Sequence, residues 1–182
     1  MKLSNEQRLV VAMLAGIQRK LGIGDHDDEV DPDFVTEALY QGQEWSLLER
    51  YAGLFHSEPT PPHVAKVRMH ILMWSVLEES YEALPRADQA RIMAKVGPSA
   101  CPPRFPGYDG REEQLLLVTA RYLILNLHEY PNLADRADFN SGCRMLPRYE
   151  AMIELFKEET ATDEVGHLLS ADQIARLLTA TA

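Results

Sequence analysis

Five polar side chains on or beside two neighbouring predicted helices could converge into a binding or catalytic site: Asp109, Tyr122, Asn126, Asp138 and Asn140. An enzyme needs polar groups that converge in a cleft with perturbed ionisation. Asp109 and Asp138, however, also suit helix caps or turns. Tyr122 and Asn126 lie on a predicted helix face that is otherwise apolar. We therefore favour ligand binding over catalysis and assign no catalytic residue.

The segment 138–141 is the polar stretch with the most potential for binding. Asn and Ser beside the start of a helix commonly act as caps. The same groups could hold a ligand at a helix N-terminus, where free N–H groups point outward. Capping is the favoured interpretation of this segment.

The sequence patterns of common enzyme and metal sites are missing. There is no glycine-rich phosphate loop, no Gly-x-Ser-x-Gly elbow and no His-Glu-x-x-His. A di-iron bundle needs two Glu-x-x-His motifs on separate helices, and the chain has one, at 164–167. The acidic loop 25–31 fails the EF-hand test, because Val30 and Thr36 stand where glycine and glutamate are required. We predict no metal and no cofactor.

For two histidines and one acidic cluster, we favour ordinary structural or solvated roles over metal or ligand binding. His63 and His70 are two helical turns apart, which is a rise of about 10.5 Å along the helix. This distance is too long for both side chains to bind one metal ion. We therefore predict ordinary surface or half-buried histidines. The acidic cluster could form a pocket wall for a cationic or polar ligand, but a solvated face is favoured; its members are Glu78, Glu79, Tyr81 and Glu82.

Hydrophobic periodicity predicts that these residues are positioned by about seven or eight helices. Helices are expected over 4–21, from Asp31 to about Gly42, over about 45–55, over 60–84, from Pro85, from Asp109 to about His128, over about 144–158 and from Ser170. Capping boxes start three of them, at Ser4–Gln7, Asp109–Glu112 and Ser170–Gln173. No alternating strand pattern is present. We predict a single all-α domain over residues 1–182, with residues 60–84 as its central helix.

Predicted inward positions follow from the same periodicity. In the helix after Pro85 we expect Ala90, Met93 and Val96 to be buried. In the helix after Asp109 the expected lining is Leu115, Leu116, Thr119, Tyr122, Leu123 and Asn126. The segment 97–107 contains four prolines and two glycines and is predicted as a loop within the domain.

Composition and charge limit the classes of partner that we expect for this protein. The 182 residues carry a formal net charge of −10, which repels phosphate backbones, so direct nucleic-acid binding is not expected. No run of about 18 uncharged apolar residues predicts a membrane span, and no signal peptide is recognisable. Cys101 and Cys143 are too few for a disulfide framework and are predicted to be reduced thiols; the alternative is a bond between them in an oxidising compartment. A cytoplasmic protein is expected.

Methionine and aromatic residues predict self-association. Trp45, Tyr51 and Phe55 lie on a segment with little obvious core partner, and apolar surface of this kind often marks a subunit interface. We predict a homo-oligomer, most simply a two-fold dimer.

Several short segments, in order and with their spacing, resemble the YfbU family of bacterial and archaeal proteins. They are residues 4–9, Phe105 to Asp109, Phe139-Asn140-Ser141, Tyr149-x-x-Met152 and residues 169–174. The sequence departs from the family pattern at 25–31, 97–104 and 158–167, and we interpret these segments as surface insertions.

The resemblance implies an all-helical protein of unknown biochemical activity. Some members of the family are fused to a helix-turn-helix DNA-binding domain, which implies a ligand-binding or regulatory role for the helical part. We expect no such domain in this chain. The functional prediction is a non-enzymatic ligand-binding, regulatory or interaction module; the alternative is a small-molecule, hydrolase-like enzyme whose site the sequence does not reveal.

Overall fold

Every regular element in the described part of the chain is helical. The computed structural model describes residues 3–22, 30–54, 60–136, 138–160 and 168–180. Within these ranges the α-helices are α1 (Asn5–Leu21), α2 (Pro32–Tyr40), α3 (Trp45–Arg50), α4 (Pro62–Ala83), α5 (Arg86–Val96), α6 (Gln114–Arg121), α7 (Leu146–Thr160) and α8 (Ala171–Leu178). The predicted all-α class is confirmed. Phe55, His56, most of the acidic loop and the motif at 164–167 lie outside the described residues.

Contacts between residues group the chain into two compact units, Met1–Pro62 and His63–Ala182. We call them the N-terminal and C-terminal units, and the prediction of one domain stays a prediction. No helix in the described ranges combines the length and apolarity that crossing a membrane requires.

In the N-terminal unit, α1 packs against α2, and both helices begin at the predicted caps. The Ser4 hydroxyl accepts a hydrogen bond from the Gln7 N–H at 3.2 Å, and the Gln7 side chain accepts one from the Ser4 N–H at 2.8 Å. Asp31 accepts from the N–H groups of Asp33 and Phe34 at 2.9 and 3.1 Å. These contacts satisfy donors that the first helical turn leaves unpaired.

The segment containing Trp45 and Tyr51 is packed, so the premise that it lacks a core partner is wrong. Trp45 is 5% exposed, and its indole N–H donates to the Gln43 side chain at 2.6 Å. The Tyr51 hydroxyl accepts from the Asp31 N–H at 3.0 Å, and its ring meets Phe34 edge-on. The exposed large apolar side chains of α1 are instead Leu9, Val10, Met13, Leu14, Ile17 and Leu21.

In the C-terminal unit, α4 supplies much of the core, as predicted. Val64, Val67, Ile71 and Leu77 are fully buried, and Trp74 is 2% exposed. The segment that begins α7, α7 itself and α8 add further buried side chains: Met145, Tyr149, Met152, Ile153, Phe156, Ile174, Leu177 and Leu178.

The predicted register of α5 is wrong by one position. Its buried residue is Ile92, at 1% exposure, whereas Met93 is 44% exposed and Ala90 is exposed. Val96 is half-buried. Packing of α5 against α8, tied by the Lys95–Asp172 ion pair at 2.6 Å, selects the face that contains Ile92.

The helix predicted to run to about His128 changes type. α6 ends at Arg121, and a π-helical turn spans Tyr122–Asn126, in which the Leu127 N–H donates to the Tyr122 carbonyl at 3.0 Å. The extra residue in this turn rotates the apolar face. Downstream of this rotation Ile124 is fully buried; within α6 itself, Leu115 is exposed and Ala120 is fully buried.

Replacing Ile92 with alanine tests the corrected register of α5. Ile92→Ala should lower the free energy of unfolding by about 2–4 kcal/mol, because it removes a fully buried side chain. The matched control, Met93→Ala, should change it by less than about 1 kcal/mol. Urea unfolding followed by circular dichroism measures both values, and a larger loss for Met93→Ala would restore the predicted register.

Candidate functional site

Two chain segments cross in van der Waals contact at the centre of the C-terminal unit. The Tyr108 N–H donates to the Phe139 carbonyl at 2.9 Å, and the Ser141 N–H donates to the Tyr108 carbonyl at 3.1 Å. Gly107 has a φ of 83°, and a Cβ there would lie 1.6 Å from the Phe139 carbonyl oxygen. Glycine is therefore required at this crossing for both its conformation and its size.

Glu113 joins this crossing to the start of α7. Its buried carboxylate accepts hydrogen bonds from the N–H groups of Asp109 at 3.0 Å, Met145 at 3.0 Å and Leu146 at 2.7 Å. A carboxylate at a helix N-terminus pairs orphan donors and complements the helix dipole. Asp109 accepts from the N–H groups of Arg111 and Glu112. The predicted capping box is thus wrong in its partner, because the side chain that reaches back to Asp109 is Glu113.

Beneath the crossing lies a cluster of aromatic side chains with paired polar atoms. The His70 Nδ1 lies 2.8 Å from the Tyr108 hydroxyl, and the Tyr149 hydroxyl donates to the Gly107 carbonyl at 2.7 Å. Phe105 lies about 6 Å from Tyr108 and from Tyr149, measured between ring centroids. His70 is buried, at 3% exposure, which corrects the prediction of a surface or half-buried histidine; His63 is half-buried as predicted.

Burial determines the ionisation of this cluster. Desolvation, with a smaller contribution from Lys66, lowers the pKa of His70 to about 4, so the imidazole is neutral at pH 7. Desolvation raises the pKa values of Tyr108 and Tyr149 well above their usual range. His70 and Tyr108 hydrogen-bond each other, and Tyr149 hydrogen-bonds the Gly107 backbone, so these neutral groups have a structural role.

The predicted solvated acidic face is wrong for Glu78. This residue is 4% exposed, accepts from the Phe105 N–H at 2.7 Å and makes a two-point ion pair with Arg136. Glu79 and Glu82 are exposed, as the prediction requires. Glu78 therefore anchors the segment that carries Phe105 rather than facing a ligand.

A polar cavity of about 480 Å³ opens beside the crossing, and we call it the polar cavity. It is lined by Asp109, Gly110, Arg111, Glu112, Asn140, Gly142, Cys143 and Arg144. The Asn140 amide oxygen accepts from the N–H groups of Gly110 and Gly142 at 3.0 and 3.2 Å. One side chain thus holds the two loops that form the cavity walls.

Of the five sequence-predicted site residues, the structure brings three together. Asp109 and Asn140 line the polar cavity. Asp138 lies behind it, where its carboxylate accepts from the Asn140 N–H at 3.0 Å and from Arg121 at 2.5 Å. Tyr122 is fully buried in the π-helical turn, and Asn126 is half-buried at the end of that turn. Neither of these two contributes to the cavity lining.

The charges of the polar cavity come largely from residues that sequence reasoning missed. In the described part of the chain, neither Arg111 nor Arg144 makes a close ion pair or a side-chain hydrogen bond to protein; weaker electrostatic interactions join Arg111 to Asp109 and Arg144 to Glu150. Asp109 is ionised, because hydrogen bonds from the N–H groups of Glu112 and Arg111 lower its carboxyl pKa. Cys143 is exposed, and its Sγ lies 3.7 Å from the Met145 Sδ. The lining thus combines cationic donors, Arg111 and Arg144, with carboxylate acceptors, Asp109 and Glu112.

Substituting Gly107 tests the close crossing. Gly107→Ala should lower the free energy of unfolding by more than about 4 kcal/mol, since the methyl group collides with the Phe139 backbone. Gly142→Ala is the control, because φ is also positive there, at 66°, and nothing lies within 4 Å. Its cost should be about 1–2 kcal/mol. Equal losses in chemical denaturation would contradict the crossing geometry.

The buried neutral His70 predicts an acid-sensitive contribution to stability. The unfolded chain takes up a proton below about pH 6.5, whereas the folded protein does so only near pH 4. The free energy of unfolding is therefore undiminished above pH 7 and falls by about 3 kcal/mol as the pH drops from about 6.5 to 4.

Urea titrations at several pH values measure this contribution by comparison with His70→Gln. The variant should lose the His70 part of the pH dependence, and the control His63→Gln should keep it. An unchanged pH dependence in His70→Gln would show that the imidazole titrates normally in the folded protein.

Comparison with known families accounts for almost the entire chain. The family model of the YfbU domain matches residues 1–180 of the 182 residues. The chain therefore belongs to the YfbU family. No curated protein matches the sequence.

Proposed function

We propose that this YfbU-family chain is a non-enzymatic ligand-binding module with a regulatory or interaction role. Its ligand is a small molecule that carries a carboxylate or phosphate group together with hydroxyl or amino groups, and the binding site is the polar cavity. The observation that carries the proposal is the pair of guanidinium groups, Arg111 and Arg144, without ion pairs among the described residues, in a cavity of about 480 Å³.

The chemistry of the lining selects the ligand class. Guanidinium groups bind carboxylate and phosphate with two parallel hydrogen bonds. The carboxylates of Asp109 and Glu112 in the same cavity disfavour a ligand that is acidic throughout and suit hydroxyl or amino groups beside the acid group. A volume of this order lies within the usual range for small-molecule sites.

The cavity walls are held in place before any ligand binds. Asn140 joins the two loops, Asp138 holds the Asn140 backbone, and Glu113 holds the backbones of Asp109 and Met145. Preformed walls lower the ordering cost of binding. This supports a binding site over an incidental depression.

No arrangement among the described residues favours the hydrolase-like alternative. Nucleophilic catalysis requires a nucleophile within hydrogen-bond reach of a base. Cys143, the thiol in the polar cavity, has the Met145 sulfur as its contact, and His70 is buried against Tyr108. Binding without a reaction is the simpler function for this lining.

Self-association remains part of the proposed function. The N-terminal unit exposes six large apolar side chains along α1, each 51–66% exposed. Contiguous apolar surface on a soluble protein commonly marks an interaction site. We retain the two-fold dimer, on a surface other than the segment around Trp45.

Thermal-shift measurements test the ligand proposal. Inorganic phosphate, glycerol phosphate, hydroxy acids and amino acids are the probes. A compound of the proposed class at 100 times its Kd should add about 2.7 kcal/mol to the free energy of unfolding and raise Tm by several degrees. Arg111→Gln/Arg144→Gln should abolish the shift, because the acid group loses both guanidinium partners.

The matched control is Arg86→Gln, an exposed arginine on α5 outside the polar cavity. It should bind as the unmodified protein does. A panel without any stabilising compound would count against ligand binding, and an equal loss in Arg86→Gln would indicate a non-specific charge effect.

A further inference from the structure

Helix α1 uses one face inside its own unit and leaves the opposite face exposed. On the packed face, Ala15 is 2% exposed, and Arg19 pairs with Asp33 of α2 at 2.6 Å. The exposed face carries a row that we call the α1 stripe, comprising Leu9, Val10, Met13, Leu14, Ile17 and Leu21. Spacings of three and four residues place these side chains along one side of the helix.

An apolar groove runs beside the α1 stripe. It has a volume of about 510 Å³; Leu14, Ile17 and Leu21 line it from α1, and Val35, Leu47 and Tyr51 line it from α2 and the α3 segment. The surface therefore combines a ridge with an adjacent depression. A surface of this form can be self-complementary, as a two-fold interface requires.

The size of this surface suits a small dimer interface. A helix of 17 residues is about 26 Å long and about 10 Å wide with its side chains. With the groove beside it, the patch covers on the order of 500 Å² in each copy, or about 1,000 Å² over both, which is the lower limit for a specific interface.

Charges at the two ends of the α1 stripe set the direction of pairing. Glu6 stands at the N-terminal end of the exposed side and Lys20 at the C-terminal end. Suppose that two α1 helices pair antiparallel with the two-fold axis at the Met13–Leu14 midpoint. Glu6 and Lys20 each lie about 10 Å from that axis along the helix, at opposite ends, so Glu6 of one copy comes beside Lys20 of the other. Two opposite-charge contacts result, whereas a parallel pair would place like charges together.

Other occupants fit this surface less well. The neighbouring segments 25–29 and 55–59 supply few apolar side chains, being Asp-His-Asp-Asp-Glu and Phe-His-Ser-Glu-Pro. An anionic lipid surface requires basic flanks, but only one end of the stripe has one, at Lys20; Glu6 flanks the other end, and the chain has a net charge of −10. A second copy of this chain matches the stripe in both apolarity and charge.

We propose that the α1 stripe and the apolar groove form a two-fold interface between two copies of this chain, with the α1 helices antiparallel. The inference rests on the proposed self-association and identifies its surface. The Met13 side chain, near the two-fold axis, packs against its counterpart, and the flanking Leu14 and Ile17 enter the groove of the partner copy.

Sedimentation equilibrium at micromolar concentrations tests the interface. The unmodified chain should have twice its 20.6 kDa chain mass. Met13→Arg should be a monomer with an unchanged circular dichroism spectrum, because Met13 is 59% exposed and is not needed for the fold. The matched control, Leu115→Arg, changes a 56% exposed leucine of the C-terminal unit and should remain a dimer.

Charge exchange tests the direction of pairing. Glu6→Lys and Lys20→Glu should each weaken the dimer by about fivefold or more in Kd, and the double variant should restore it, because every contact pairs residue 6 of one copy with residue 20 of the other. Failure of the rescue would overturn the antiparallel arrangement.

Sedimentation of the unmodified chain and of Met13→Arg also distinguishes failure of self-association from failure of the α1 interface. A monomeric unmodified chain would reject self-association itself. A dimer that survives Met13→Arg would place the interface elsewhere and overturn this inference alone. Sedimentation of the chain with phosphatidylglycerol vesicles, lost in Met13→Arg and without dimerisation, would assign the stripe to lipid.

Discussion

The buried carboxylate of Glu113 is the interaction on which the C-terminal unit depends. It accepts N–H groups from two segments more than thirty residues apart in sequence, one at Asp109 and the other at the start of α7. Removing an acceptor of this kind would leave several buried donors unpaired, which costs far more than one hydrogen bond contributes. The Gly107 crossing follows from the same constraint, since the segment that Glu113 holds must pass against Phe139. The polar cavity forms where the two held segments diverge.

The interior beneath the crossing is polar in composition but neutral in charge. The His70 Nδ1 and the hydroxyls of Tyr108 and Tyr149 are each paired, so burial does not leave those atoms unsatisfied. The same burial keeps His70 uncharged. Charged groups are treated differently: Glu78 is paired with Arg136, the Glu113 carboxylate is held by backbone N–H groups, and Arg111 and Arg144 lie at the cavity wall. This division separates residues that stabilise the fold from the residues to which we assign the proposed ligand.

The helices could be predicted because the signals that start them are local in sequence. The features that could not be predicted depend on contacts between distant residues. The Ser4 and Ser170 capping boxes depend on neighbours three residues away, and both are present. The α5 face and the π-helical turn at Tyr122 depend on packing partners that periodicity does not identify, and both differ from prediction. Asp109, Asp138 and Asn140 could be recognised because turn and cap residues mark loop ends. Arg111 and Arg144 could not, because exposed arginines have no distinctive pattern until the loops are brought together.

Helix α1 shows why an apolar stripe alone does not define a core. Val10, Met13 and Ile17 follow the spacing of a buried face, yet each is more than half exposed. Periodicity indicates that a helix face requires an apolar partner; it does not indicate whether that partner belongs to the same chain. Within its unit, α1 contacts α2 through the opposite face, by way of small and charged residues such as Ala15 and Arg19. The strongest apolar side of the helix is thus the side that its own unit leaves uncovered, which is the physical ground for the association that we propose through α1.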